Sequence, residues 1–147
     1  MATMQPAATP WHLWVVGLVS LLWNCFGGYD YVMSMTGNLE YFQMMGFGAE
    51  EVAWVDALPA WSKAAWAIGV WGSVLGSLLL LLRSRFAELA FLASLAGALV
   101  SSVYLLSVDK PASMSGGVAV ILPVVIMILI VAQWYYAKRQ AAAGVLR

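Results

Sequence analysis

Asn24 is the one strongly polar side chain deep in a stretch, residues 1–29, that holds no Asp, Glu, Lys or Arg. Asp30 follows six residues later, flanked by Tyr29 and Tyr31. A carboxamide in apolar surroundings donates and accepts hydrogen bonds without titrating. At helical spacing Asn24, Gly28 and Tyr31 share one stripe (i, i+4, i+7), and Asp30 projects off it. Trp66 and Tyr104 reach a similar level from two further segments. Asn24, Asp30, Tyr31, Trp66 and Tyr104 therefore make a candidate outward-facing pocket, aromatic in its walls, with an amide at its base. Such walls suit sugars, quinones or amphipathic solutes. A plainer assignment stands beside it. Asn24 then only hydrogen-bonds a neighbouring helix, an effect of about 0.6–2 kcal/mol, and Asp30 only ends its helix in solvent.

Other chemistry is thinly represented. There is one histidine, His12, and one cysteine, Cys25, so a multi-histidine metal site, a Cys-rich cluster and an intrachain disulfide are all excluded. No Walker loop, dinucleotide fingerprint, nucleophile elbow or HExxH is present. His12 lies between Trp11 and Trp14 at the far end of its segment from Asp30, so it reads as an interfacial anchor and not as a catalytic base. We expect no enzyme, no metal and no cofactor. Seven basic residues balance seven acidic ones, so no net field draws nucleic acid.

The elements that must position these residues follow from the distribution of charge. Of 147 residues 63% are apolar and 10% charged, against about 45–50% and about 25% in a soluble globular domain; mean hydropathy is +0.86. Charge is absent from 1–29, 64–82, 89–108 and 111–137. About 20 apolar residues cross the hydrocarbon core as a helix, and in lipid every backbone polar group must be paired within the segment. Four spans result, at 11–32, 61–82, 86–108 and 117–137. Runs such as Leu78 to Leu82 and Val124 to Ile130 lack the alternation of a barrel strand. The expected fold is a single all-α domain, 1–147, with four transmembrane helices in an antiparallel bundle and the lipid bilayer as its surroundings. The first span does not read as a cleaved leader, because its flank lacks Lys and Arg and no small-x-small site follows. Thr9 is the expected N-cap and Pro10 the first helical residue.

Four spans put both ends of the chain on one side. That side holds Arg83, Arg85, Lys138, Arg139 and Arg147, and the other holds Lys63 and Lys110. The positive-inside bias places both termini in the cytoplasm. Trp11, Trp134, Tyr135 and Tyr136 fit an inner aromatic belt, and Tyr31 and Trp61 an outer one. Glu88 is expected to pair with Arg83 and Arg85 at the inner interface. The long outer connection, 33–60, carries Tyr41, Phe42, Met44, Met45, Phe47, Val52, Trp54, Val55 and Leu58. Short helices at the membrane surface or capping the bundle are expected there.

Helix association in lipid relies on close packing and polar contacts. The second span carries small residues at Ala65, Gly69, Ser73 and Ser77 and at Gly72 and Gly76; the third carries Ala90, Ser94, Ala98 and Ser102 with Ala93, Gly97 and Ser101 beside them. Gly69, Gly72, Gly76, Ala93, Gly97 and Ser101 are the expected packing positions, either within the hairpin turned at Arg83-Ser84-Arg85 or between copies of the chain. Pro123 predicts a kink in the outer third of the fourth span.

The run from Trp23 to Met33, Leu58-Pro59-Ala60-Trp61, the run from Ala65 to Arg83, and Gly144-Val145-Leu146-Arg147 resemble a group of small four-helix inner-membrane proteins of proteobacteria, often labelled sugar transporters. Residues 40–56 depart from that pattern. The resemblance implies a bacterial cytoplasmic membrane and four spans, and it transfers no catalytic residue. Two roles are left open: small-solute, sugar-like transport as an oligomer, and a non-transporting accessory or assembly subunit of a larger membrane complex.

Overall fold

The computed structural model describes residues 8–147; residues 1–7, part of the flank weighed above for a leader, lie outside the described residues. Four long helices carry the chain: α1 (Trp11–Met35), α4 (Ala60–Leu81), α5 (Phe86–Ser107) and α6 (Gly117–Ala142). Two short helices, α2 (Leu39–Met44) and α3 (Ala49–Asp56), fill the connection between α1 and α4, and a single 3-10 turn, Ala112–Met114, precedes α6. Among the described residues there is no strand. All four long helices have the length and apolar character to cross a membrane. Their exposed faces carry Val, Leu, Ile, Phe and Trp, which water covers at a penalty and an apolar surrounding such as lipid does not. The chain is an all-α, four-helix integral membrane protein.

Side-chain size decides how the helices approach. The main contacts run α1 on α4, α4 on α5 and α5 on α6, so α4 stands between α1 and α5. At Gly97 an added Cβ would lie 2.6 Å from the Ala65 carbonyl oxygen and 2.7 Å from the Gly69 nitrogen. At Gly69 and Gly72 it would press on the backbones of Ala98 and Ser94, and at Gly76 on the Phe91 ring. The small residues thus serve the α4–α5 hairpin within one chain. Ser94 Oγ donates to the Gly69 carbonyl across this contact, and Ser101 is buried beside it. One correction concerns the hairpin alone: Ala93 takes no part in it and is exposed on the single chain, because the face meeting α4 runs through Phe91, Ser94, Gly97 and Ser101. On α1 the buried residues are Leu13, Gly17, Ser20, Asn24 and Gly28, a stripe turned to α4.

Two further corrections fall at the helix ends. Pro10, not Thr9, is the N-cap of α1; the Thr9 hydroxyl instead accepts from the Arg83 guanidinium at 2.9 Å. Glu88 makes no ion pair, since Arg83 is drawn to Thr9 and the Arg85 guanidinium lies 5.6 Å from the Phe86 ring centre. Lys63 with Asp56, at 3.8 Å, is the one ion pair among the described residues. Pro123 sits inside α6, which continues as one helix to Ala142.

The end at which α1 begins and α6 finishes is closed by the tail. Gly144 has a φ of 71°, a left-handed conformation suited to glycine, and turns the chain back after α6. Val145 and Leu146 then bury themselves with Leu13, Leu80, Ala87, Phe91 and Ala137. Arg85 N–H donates to the main-chain oxygen of Arg147 at 2.9 Å, and Arg147 N–H donates to the Arg83 carbonyl at 2.8 Å. Arg83 itself has a φ of 57°, and the α4–α5 turn it makes is closed by Ser84 N–H on the Leu79 carbonyl.

Candidate functional site

Asn24 lies in the middle of α1 and is 5% exposed. Its Nδ2 donates to Ser77 Oγ at 2.9 Å, to the Ser73 carbonyl at 3.1 Å and to Gln133 Oε1 at 3.1 Å. Two hydrogens serve three acceptors, so one is shared. Ser77 Oγ donates in turn to the Ser73 carbonyl at 2.9 Å. The network ties α1, α4 and α6 at one point. Gln133, one residue before the Trp134–Tyr136 belt and not among the candidates above, is buried like Asn24. The available signal was an uncharged polar residue inside a run with no other, the same signal that singled out Asn24.

The remaining candidates separate into different contacts. Tyr31 packs edge-on against Trp66, with ring centres 5.2 Å apart, and on Trp71 at 6.4 Å. Tyr104 faces Trp61 at 4.7 Å. Trp61 and Trp66 are five residues apart on α4, so they point to different sides of that helix, one toward α5 and one toward α1. Asp30 Oδ1 accepts from the Tyr41 hydroxyl at 2.6 Å. The structure thus brings Tyr31 to Trp66, holds Asn24 in its own polar network, and brings neither Tyr104 nor Asp30 to the Tyr31–Trp66 pair.

A cap lies over this end of the bundle. Asn38 caps α2 by accepting from Tyr41 N–H at 2.9 Å. Tyr41, Phe42 and Val55 are buried, and Met33, Trp54, Trp66 and Met114 pack against them. Trp66 is therefore roofed by the cap, so the face expected to open outward is filled by side chains from residues 33–60. Glu51 fastens the cap: one carboxylate oxygen accepts from Gly48 N–H at 2.7 Å and the other from the Ser113 hydroxyl. Trp54 Nε1 donates to the Asp109 carbonyl at 2.9 Å, tying α3 to the same connection. The Ser113 hydroxyl, and then the Gly48 N–H, hold the Glu51 carboxyl below the usual glutamate range. Burial, and then the bond to Asp30, push the Tyr41 hydroxyl above the usual tyrosine range.

Two concavities stand out, and both lie at the ends of the bundle, away from Asn24. One, of about 490 Å³, runs between the α1–α2 turn and α3 and is bordered by Thr36, Leu39, Val52, Asp56 and Lys63. The other, of about 530 Å³, lies beside the tail and includes Arg85, Glu88 and Arg147. Among the described residues no group of three His, Cys, Asp or Glu side chains is placed to hold a metal ion. No protein-family model, curated protein or solved structure matches the chain.

Proposed function

We propose that the chain is a bacterial inner-membrane protein with both ends in the cytoplasm, and that it works as a non-transporting accessory subunit of a larger membrane complex. The observation that carries this reading is the Asn24–Ser77–Gln133 network. Asn24 Nδ2, Gln133 Oε1 and the Ser77 hydroxyl, buried at the centre of the bundle, bond to one another and to main chain and bridge three helices. A transport path through one protomer needs such groups turned toward solute or water. Here they act as a rivet. The cap supports the same reading from outside. It roofs Trp66, and on its surface Leu39, Met44 and Met45 are apolar and exposed, beyond the apolar windows of the four spans. An apolar patch on a polar-side surface marks a contact with protein or membrane. Small-solute transport as an oligomer is the competing role, and its path would have to run between protomers.

The test is affinity purification of the intact protein in gentle detergent, beside flux measurements in proteoliposomes with a panel of sugars. The proposal predicts a defined co-purifying membrane protein, lost on Met44→Asp with Met45→Asp and retained on Cys25→Ser, and no sugar flux above empty vesicles. Saturable flux of any sugar, abolished by Asn24→Ala, would replace the accessory role by transport.

A further inference from the structure

The concavity beside the tail is built from both signs of charge on an apolar wall. Arg85, Glu88 and Arg147 line it together with Phe86, Leu89 and Leu146. The two arginines are held near each other by main chain, through the Arg85 N–H bond to the main-chain oxygen of Arg147 and the Arg147 N–H bond to the Arg83 carbonyl. Neither guanidinium is ion-paired among the described residues, and Glu88 is likewise free of an ion pair. The Arg85 guanidinium lies over the Phe86 ring. Phe86 and Leu89 are 55% and 61% exposed, at the first turn of α5. This is the level at which a membrane helix leaves the hydrocarbon for the headgroups.

The geometry points to a binding site for one phospholipid whose headgroup couples a phosphate to a hydrogen-bonding ammonium, as in phosphatidylethanolamine. The two guanidiniums meet the phosphate oxygens, for which their planar donor forks are suited. Glu88 accepts from the primary ammonium. Phe86 and Leu89 lie along the acyl chains. The carboxylate makes the choice of headgroup. The glycerol headgroup of phosphatidylglycerol offers Glu88 only neutral hydroxyls and no opposite charge, and the trimethylated ammonium of phosphatidylcholine has no N–H to donate. The apolar wall favours the lipid over a soluble phosphate ester. The inference needs only the membrane setting of the helices, not the accessory role.

The experiment is native mass spectrometry of the full chain released from nanodiscs holding phosphatidylethanolamine, phosphatidylglycerol and phosphatidylcholine in equal amounts. The wild type is expected to retain phosphatidylethanolamine above the other two. Arg85→Gln and Arg147→Gln should each reduce retention about tenfold, the loss of a charge-assisted hydrogen bond to the phosphate. Glu88→Ala, which removes the acceptor, should keep phospholipid bound but bring the ethanolamine and choline forms to equal retention. Lys138→Gln with Arg139→Gln, at the same end but outside the concavity, should change nothing. Among the described residues neither the Arg85 nor the Arg147 side chain makes a hydrogen bond, so circular dichroism and elution should match the wild type and exclude misfolding. Equal retention of ethanolamine and choline lipids by the wild type, or no loss in the two arginine variants, would overturn the site. Displacement of the lipid by free phosphoethanolamine at matching concentration would overturn its assignment to a membrane lipid.

Discussion

A carboxamide in hydrocarbon has few places to send its hydrogens, and Asn24 finds three acceptors on two helices. Its removal leaves Gln133 without that donor and Ser77 with only its bond to Ser73. Asn24→Ala and Gln133→Ala should each lower stability by about 0.6–2 kcal/mol. The double variant should lose less than the sum, because both remove the same bond. Denaturant titration of the purified protein in mixed micelles reads this cycle, and strict additivity would show that the two amides act separately. Glycines give a sharper contrast. Gly97→Ala drives a Cβ to within 2.6 Å of rigid backbone, so the α4–α5 hairpin must part, at about 1–3 kcal/mol. At Gly27 nothing lies within 4 Å of an added Cβ, so Gly27→Ala should leave the unfolding midpoint in place or raise it slightly. Residue types were legible here and partners were not. Asn24 announced itself by being alone in an apolar run, but its pairing with Gln133 depends on where α6 sits relative to α1 and α4, which no local spacing encodes. Tyr104 was misplaced for the same reason, since its helix lies on the other side of α4 from α1.

At the scale of elements, the cap and the tail show what hydropathy leaves out. Residues 33–60 announced short apolar helices by their composition. The fastening of α3 by Glu51 to Ser113 joins positions 62 residues apart and was not visible. That fastening titrates. A carboxyl held below its unfolded value contributes stability that is complete above the ordinary glutamate value, near 4.5, and is lost as pH falls through the lowered folded value. The cap should therefore hold at neutral pH and loosen in acid. Tryptophan fluorescence from Trp54 and Trp66 should report the change, and Ser113→Ala should move the transition to higher pH. An unchanged transition in that variant would show that Ser113 does not set it. Tyr41 has the opposite sign: its raised value contributes stability below the ordinary tyrosine range, lost as pH rises through the folded value. The tail is a second fastening. Leu146 is 5% exposed among Leu13, Leu80 and Phe91, so Leu146→Ala should cost about 2–5 kcal/mol. Limited proteolysis at the α4–α5 turn should quicken in that variant, whereas Ala143→Ser, at an exposed position, should leave it unchanged.

For the molecule as a whole, the arrangement was the most legible part, because excluding charge from four stretches is a coarse signal that lipid enforces on every residue. The observed long helices begin within one residue of the expected spans; α1 and α6 extend further at their ends, α6 carrying Lys138 and Arg139 on one continuous helix. The order of packing was not legible, since apolar helices have similar faces and only the small-residue contacts distinguish them. With only 11% of its apolar window buried inside the protomer, α6 gives most of its surface to lipid or to a neighbour. The central claim is a four-span bundle with both ends on the cytoplasmic side and the cap outside. It is tested most directly by labelling single cysteines with a membrane-impermeant maleimide in a Cys25→Ser background, at Ala8, Met44 and Ala143, all exposed in the structure. The account predicts that Met44→Cys reacts in intact spheroplasts, while Ala8→Cys and Ala143→Cys react only after the membrane is opened. Reaction of Ala8→Cys and Ala143→Cys from opposite faces, or of all three without opening the membrane, would contradict it.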